Sequence, residues 1–165
     1  MTYGPGQGPG ALALSDDELV RLLAGRQMGA LAANKPDGFP HLSTVAYDWD
    51  PVGRVARIST TAGRAKVRLL RRDPRAALYV SSADFMAWVV AEGEAELSAV
   101  SEVPGDEAGR ELLALQPPYE RAEDEDAFLR QMVLDRRLVI RLRVSRLYGM
   151  ALDLPRPAAD GGDAP

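Results

Sequence analysis

Residues 137–144 alternate without a break. Arg137, Val139, Arg141 and Arg143 fall on one face of an extended chain, and Leu138, Ile140, Leu142 and Val144 on the other. A period of two is the mark of a half-buried strand and cannot place one apolar stripe on a helix. The pattern recurs. His41, Ser43, Val45, Tyr47 and Trp49 share one face of a second segment, with Leu42, Thr44, Ala46 and Asp48 opposite. Met28–Asn34, Arg54–Thr60, Arg75–Ser81 and Phe85–Ser98 read as further strands. In the last, Glu92, Glu94 and Glu96 point one way and Ala91, Gly93, Ala95 and Leu97 the other, so one face is wet. Tight turns at Lys35-Pro36-Asp37-Gly38 and Asp50-Pro51-Val52-Gly53 make neighbouring strands antiparallel. Six such strands with short helices between them point to a mainly β, antiparallel, closed or partly closed barrel, because closure removes exposed edges.

Helices fill the gaps. Ser15-Asp16-Asp17-Glu18 is a capping box, and Leu19, Leu22 and Leu23 continue it as an amphipathic helix to Gly25. Thr61-Ala62-Gly63 opens a second helix to about Arg72, ended by Asp73-Pro74. The acidic stretch 102–126 reads as one or two helices around Pro117-Pro118. Residues 1–14 and 151–165 carry no period and are expected to be a disordered arm and tail around one domain, residues 15–150.

Composition removes several functions. The 165 residues contain no cysteine and one histidine, His41. Thiolate chemistry, Cys-bound metals and multi-His metal sites are excluded. No metal site and no catalytic nucleophile are expected. Ser43 lies two residues from His41 on one strand face, but no nucleophile elbow accompanies it. Apolar runs fall short of a membrane span, and the start lacks the pattern of a secretion signal, so the compartment expected is the cytoplasm. The net charge of −4 argues against nucleic-acid and membrane partners.

The charge is unevenly spread. Residues 54–75 hold eight Arg and Lys side chains against Asp73 alone. Such an island suits a small anionic ligand or a solvated helix face. Within it, Ser59, Thr60 and Thr61 end a strand, Gly63 lets the chain turn, and Arg64 and Lys66 stand at the start of a helix. Cations there oppose the helix dipole, and a bound anion would offset them. Hydroxyls, free helix-start N–H groups, a guanidinium and an ammonium together form a phosphate cradle. The spacing is not that of a P-loop.

These segments resemble the pyridoxamine 5'-phosphate oxidase-like split barrels that bind FMN or the deazaflavin F420, and most of all their actinobacterial F420-dependent reductase branch. The resemblance rests on Gly29-Ala30-Leu31-Ala32, Asp37 through Ser43, Arg64-Ala65-Lys66 through Arg75, Val90-Ala91-Glu92-Gly93, and Met132 through Arg137 with Tyr148-Gly149. It implies a six-stranded split barrel, homodimeric, with a cofactor at each subunit interface. It implies that Arg64 and Lys66 hold the cofactor phosphate together with Ser59, Thr60 and Thr61. The ring would lie along Leu42, Ser43, Thr44 and Val45 and beside Arg57 and Ile58, with Trp88 supplied by the partner. The function implied is hydride transfer between F420 and a quinone-, tetrapyrrole- or nitroaromatic-like acceptor. The alternatives are an FMN-binding oxidoreductase of the same fold, or a non-catalytic flavin-, F420- or haem-binding protein. Arg68, Arg71 or Arg72 would meet the acidic tail of F420, and Tyr47 or His41 would be the candidate proton donors. The C-terminal substrate segment of true pyridoxamine 5'-phosphate oxidases has no counterpart after Tyr148.

Overall fold

The capping box forms as the sequence requires: the Ser15 N–H donates to Glu18 Oε2 at 2.8 Å, and the Glu18 N–H to Ser15 Oγ at 3.4 Å. It starts the first helix of a computed structural model that describes residues 4–153. In chain order the elements are β1 (Ala11–Ala13), α1 (Asp16–Ala24), β2 (Met28–Asn34), β3 (Pro40–Ala46), β4 (Asp48–Asp50) and β5 (Val55–Thr61). There follow α2 (Ala65–Arg72), β6 (Arg75–Ser81), β7 (Ala87–Leu97), α3 (Glu107–Ala114), α4 (Ala122–Leu134) and β8 (Arg137–Leu152).

All strands join one antiparallel sheet in the order β3-β2-β6-β7-β8-β5-β4, with β1 added to the far end of β8. The two ends of this path, β3 and β4, are consecutive in the chain and are joined through Tyr47 alone. A sheet whose ends are held by one residue must curl until they meet. The result is a half-barrel, mainly β with short helices, in agreement with the fold expected.

Several boundaries differ from the sequence reading, among them the end of α4, which runs past the expected stretch to Leu134. The segment 41–49 is not one strand. It breaks at Tyr47, whose N–H donates to the Gln27 carbonyl and whose hydroxyl donates to the Leu23 carbonyl at 2.7 Å. After the break, Asp48–Asp50 leaves β2 and pairs with β5. The strand at 137–144 runs on to Leu152, pairing first with β5 and then along β7. Residues 11–13, read as part of a disordered arm, pair with residues 150–152, so the sheet has eight strands, not six. The second helix starts at Ala65, with Arg64 as its N-cap, because Thr61 is still in the β5 ladder. The tail expected over residues 151–165 begins within β8, at Ala151 and Leu152, and its residues 154–165 lie outside the described residues.

Inside the curl sit Leu31, Val45, Ile58, Leu78, Val80, Val89, Leu138, Ile140 and Leu142, all at most 5% exposed. Each such side chain contributes about 1.5–3 kcal/mol by leaving water. Leu19 and Leu23 of α1 and Val67 and Leu70 of α2 complete this core. Outside, α3 and α4 cover part of β8. There Val139 is buried with Leu112 and Met132, although it shares a face with Arg137, Arg141 and Arg143. Arg141 ties this layer to the sheet through Glu111 of α3 and Glu96 of β7. The rest of the outer face is uncovered. Tyr79, Trp88 and Tyr148 meet there at ring separations of 6.2 and 6.1 Å.

Candidate functional site

The curl leaves a split. β3 is an end strand, and β5 has no neighbour on its β4 side beyond Arg57. These two open edges border a cleft of about 500 Å³. Its walls are His41, Ser43, Thr44, Val45 and Ala46 of β3 and Ser59, Thr60 and Thr61 of β5. Arg64, Ala65 and Lys66 at the start of α2 and Arg137 at the start of β8 complete them. An open strand edge carries unpaired N–H and C=O groups, which suit a flat heterocycle with hydrogen-bonding edges.

Three cations and no carboxylate line the cleft. The first turn of α2 holds no acid, and Arg64 gives it no side-chain cap. The leading N–H groups of the helix therefore have no intrahelical acceptor. The Lys66 ammonium is held below its ordinary range, first by burial and then by repulsion from Arg64. Arg137 Nη1 donates to Ser59 Oγ at 3.2 Å. A guanidinium only donates, so the Ser59 hydroxyl accepts here and its own proton is left for another partner. Ser43 Oγ is buried without any hydrogen-bond partner, a costly state that a bound polar group would relieve.

The rest of the basic island, Arg71 apart, has partners of its own. Arg54 pairs with Asp16, and Arg75 with Asp73. Arg68 donates to the Gly63 carbonyl and Arg72 to the Asn34 carbonyl, so both brace loops. Arg57 lies 3.7 Å from both Asp50 and Glu111. The donor set at Arg64 and Lys66 thus suits a phosphate and meets no competing acid.

Eight of the twelve residues expected at a cofactor line this cleft: Ser43, Thr44, Val45, Ser59, Thr60, Thr61, Arg64 and Lys66. The other four do not. The Ile58 side chain is 1% exposed inside the core, and Leu42 is exposed and is not among the residues that line the cleft. Arg57 lines a neighbouring cavity, and Trp88 belongs to the outer aromatic cluster. Arg137 was missed. Its alternation with Val139 and Arg141 marks it as a strand residue, and only its register opposite Thr61 carries it to the cleft. Tyr47 is removed as a proton donor, since its hydroxyl is spent on Leu23 and burial pushes it up to about 12. His41 remains at the wall.

Comparison with known proteins gives the family. Residues 15–151 match the family model described as pyridoxamine 5'-phosphate oxidase. The chain belongs to that family. It is similar to an F420H(2)-dependent biliverdin reductase of Mycobacterium tuberculosis, at 27% identity over 138 residues, or 84% of this chain and 89% of that one. Among solved structures it is similar to a conserved hypothetical protein of M. tuberculosis, with TM-score 0.67 and 26% identity, covering 93% of this chain and 96% of that one. It is also similar to an F420 reductase, with TM-score 0.54 and 26% identity, covering 77% and 93% of the two chains.

Proposed function

We propose that this protein is an oxidoreductase that uses the deazaflavin F420 to reduce an organic acceptor. The observation that carries the reading is the acid-free pair Arg64 and Lys66 at the start of α2, set at one end of a split between two open strand edges. The similarity to an F420H(2)-dependent biliverdin reductase and to an F420 reductase supports F420 over FMN. Bound in the split, reduced F420 would supply a hydride, so the protein needs no nucleophile of its own.

Arg64 and Lys66 would hold the phosphate, with Ser59, Thr60 and Thr61 as hydroxyl partners. The Ser43 hydroxyl and the open edges of β3 and β5 would orient the ring. Leu42, Arg57 and Ile58 would contribute at most through backbone or from beyond the cleft wall. A homodimer fits the uncovered outer face, where Tyr79, Trp88 and Tyr148 would be sheltered by a second copy. Trp88 would then act on the partner's cofactor. No helix among the described residues is long and apolar enough to cross a membrane.

The test is a titration of the purified protein with F420 and, separately, with FMN, followed by quenching of cofactor fluorescence. Tighter binding of F420 is expected. Preference for FMN would move the protein to flavin chemistry, and binding of neither would overturn the oxidoreductase reading.

A further inference from the structure

The end of α4 feeds one side chain into the cleft wall and holds it there. Asp135 caps the helix, and its Oδ1 accepts from Gln131 Nε2 at 2.8 Å. Arg136 follows in the left-handed region at φ 52°. Its carbonyl accepts from the Ala62 N–H at 3.0 Å, which ties the turn to the residue just past β5. The turn delivers Arg137 to the ladder opposite Thr61. From there its long side chain reaches the diagonal neighbour two residues along β5, where Nη1 donates to Ser59 Oγ at 3.2 Å. Its Nε is buried without a hydrogen-bond partner and lies 3.5 Å from Asp135 Oδ2. One side of the guanidinium is therefore held by a carboxylate, and the other holds a hydroxyl.

The direction of that last hydrogen bond has a consequence for the cleft. A guanidinium only donates, so the Ser59 hydroxyl spends a lone pair on it and keeps its proton. That proton has no acceptor among the described residues. Ser59 lines the cleft together with Arg64 and Lys66. Those two side chains and the leading N–H groups of α2 also only donate. With Ser59 fixed in the same sense, the edge from Ser59 to Lys66 is a row of donors. It suits an ionised phosphate, whose oxygens accept. A hydroxyl free to rotate would turn its lone pairs toward the same oxygens part of the time.

We propose that Arg137 is a positioning residue for the cofactor phosphate. It acts through Ser59, whose proton it turns toward the cleft, and Asp135 and Gln131 hold it in place. The outer helical layer thereby reaches the binding site without touching the ligand. That the phosphate is F420's rests on the function proposed above; the row of donors does not.

The test is a double-mutant cycle on the full-length protein, read by quenching of cofactor fluorescence. The ligands are F420 and the same deazaflavin without its phosphate. Arg137→Met keeps the stem and removes the fork, and Ser59→Ala removes the hydroxyl. Each should weaken F420 roughly tenfold, the scale of one hydrogen bond to a charged group. The double variant should be no weaker than either single one. Arg137→Lys keeps the charge but cannot span Asp135 and Ser59, so it should not restore affinity. The phosphate-free deazaflavin should bind every variant as it binds the wild type, which also reports an intact fold. Additive losses would overturn the relay, as would full affinity in Arg137→Lys or equal losses for the phosphate-free ligand. Should the protein prefer FMN, the cycle is run with FMN and riboflavin. The same non-additive pattern would then sustain the relay while the deazaflavin reading falls. Binding of neither cofactor would overturn both.

Discussion

Arg64 stands at a helix N-cap, where a cation is unfavourable unless something negative lies opposite. Lys66, in the first turn, is held below its ordinary range by burial and then by repulsion from Arg64. Replacing Arg64 by Ala should weaken the cofactor by about 1.5–3 kcal/mol, the range for a hydrogen bond to a charged group. The same titration that tests F420 measures it, and an unchanged dissociation constant would remove Arg64 from the cradle. Tyr47 shows the opposite use of a polar group. Its buried hydroxyl is satisfied by the Leu23 carbonyl, and burial raises it from 10.0 to about 12. Folding thus favours the neutral phenol. That contribution is complete below pH 10 and is lost as the pH climbs toward 12. Tyr47→Phe should cost about 1 kcal/mol near neutrality by removing a buried hydrogen bond and leaving the Leu23 carbonyl only the longer one from the Arg26 N–H. It should also flatten the fall in stability above pH 10. Urea unfolding across pH 8–12 checks both, and an identical pH profile in the variant would show that the phenol is not responsible.

Among the elements, β7 and β8 form the longest ladder and carry an irregularity between Glu92 and Gly93. A Cβ on Gly93 would stand 1.9 Å from the Arg143 carbonyl oxygen, and one on Gly149 would stand 2.1 Å from that of Trp88. Neither contact can be relieved by turning a side chain, since both neighbours are backbone. Gly93→Ala should therefore destabilise the fold by about 1–3 kcal/mol, the range for overpacking. A denaturation midpoint equal to wild type would show that the two strands separate more easily than their register suggests. The period-two pattern of residues 137–144 is plain in the sequence, yet it stops eight residues before the strand does. Beyond Val144 the strand leaves β5, stays on β7 and takes β1 on its other edge at its end, so its two faces no longer meet a simple core and a simple solvent. The break at Tyr47 is hidden for the same kind of reason. Alternation passes through it undisturbed, and only the change of pairing partner ends β3.

For the whole molecule, the apolar outer face of Tyr79, Trp88 and Tyr148 is the counterpart of the covered face under α3 and α4. Placing a charge there with Trp88→Glu should convert a dimer to monomers in sedimentation equilibrium and weaken F420 with it, because one copy's Trp88 would belong to the other's site. A variant that stays dimeric with full affinity would put the interface elsewhere.

What the amino-acid sequence determined by itself was local. Alternation, turn residues, the capping box and the hydroxyl-to-cation run from Ser59 to Lys66 depend on neighbours a few residues apart, and each was legible. Tertiary structure decided what long-range pairing controls. It brought Arg137 to the Ser59 hydroxyl across the β5–β8 ladder. It turned Ile58 into the core and left Leu42 exposed, outside the cleft lining. It also opened the neighbouring cavity that Arg57 lines, because a barrel whose ends meet at a single residue leaves room on either side of that residue. No periodicity records such a closure, since it is a property of the sheet and not of any one strand.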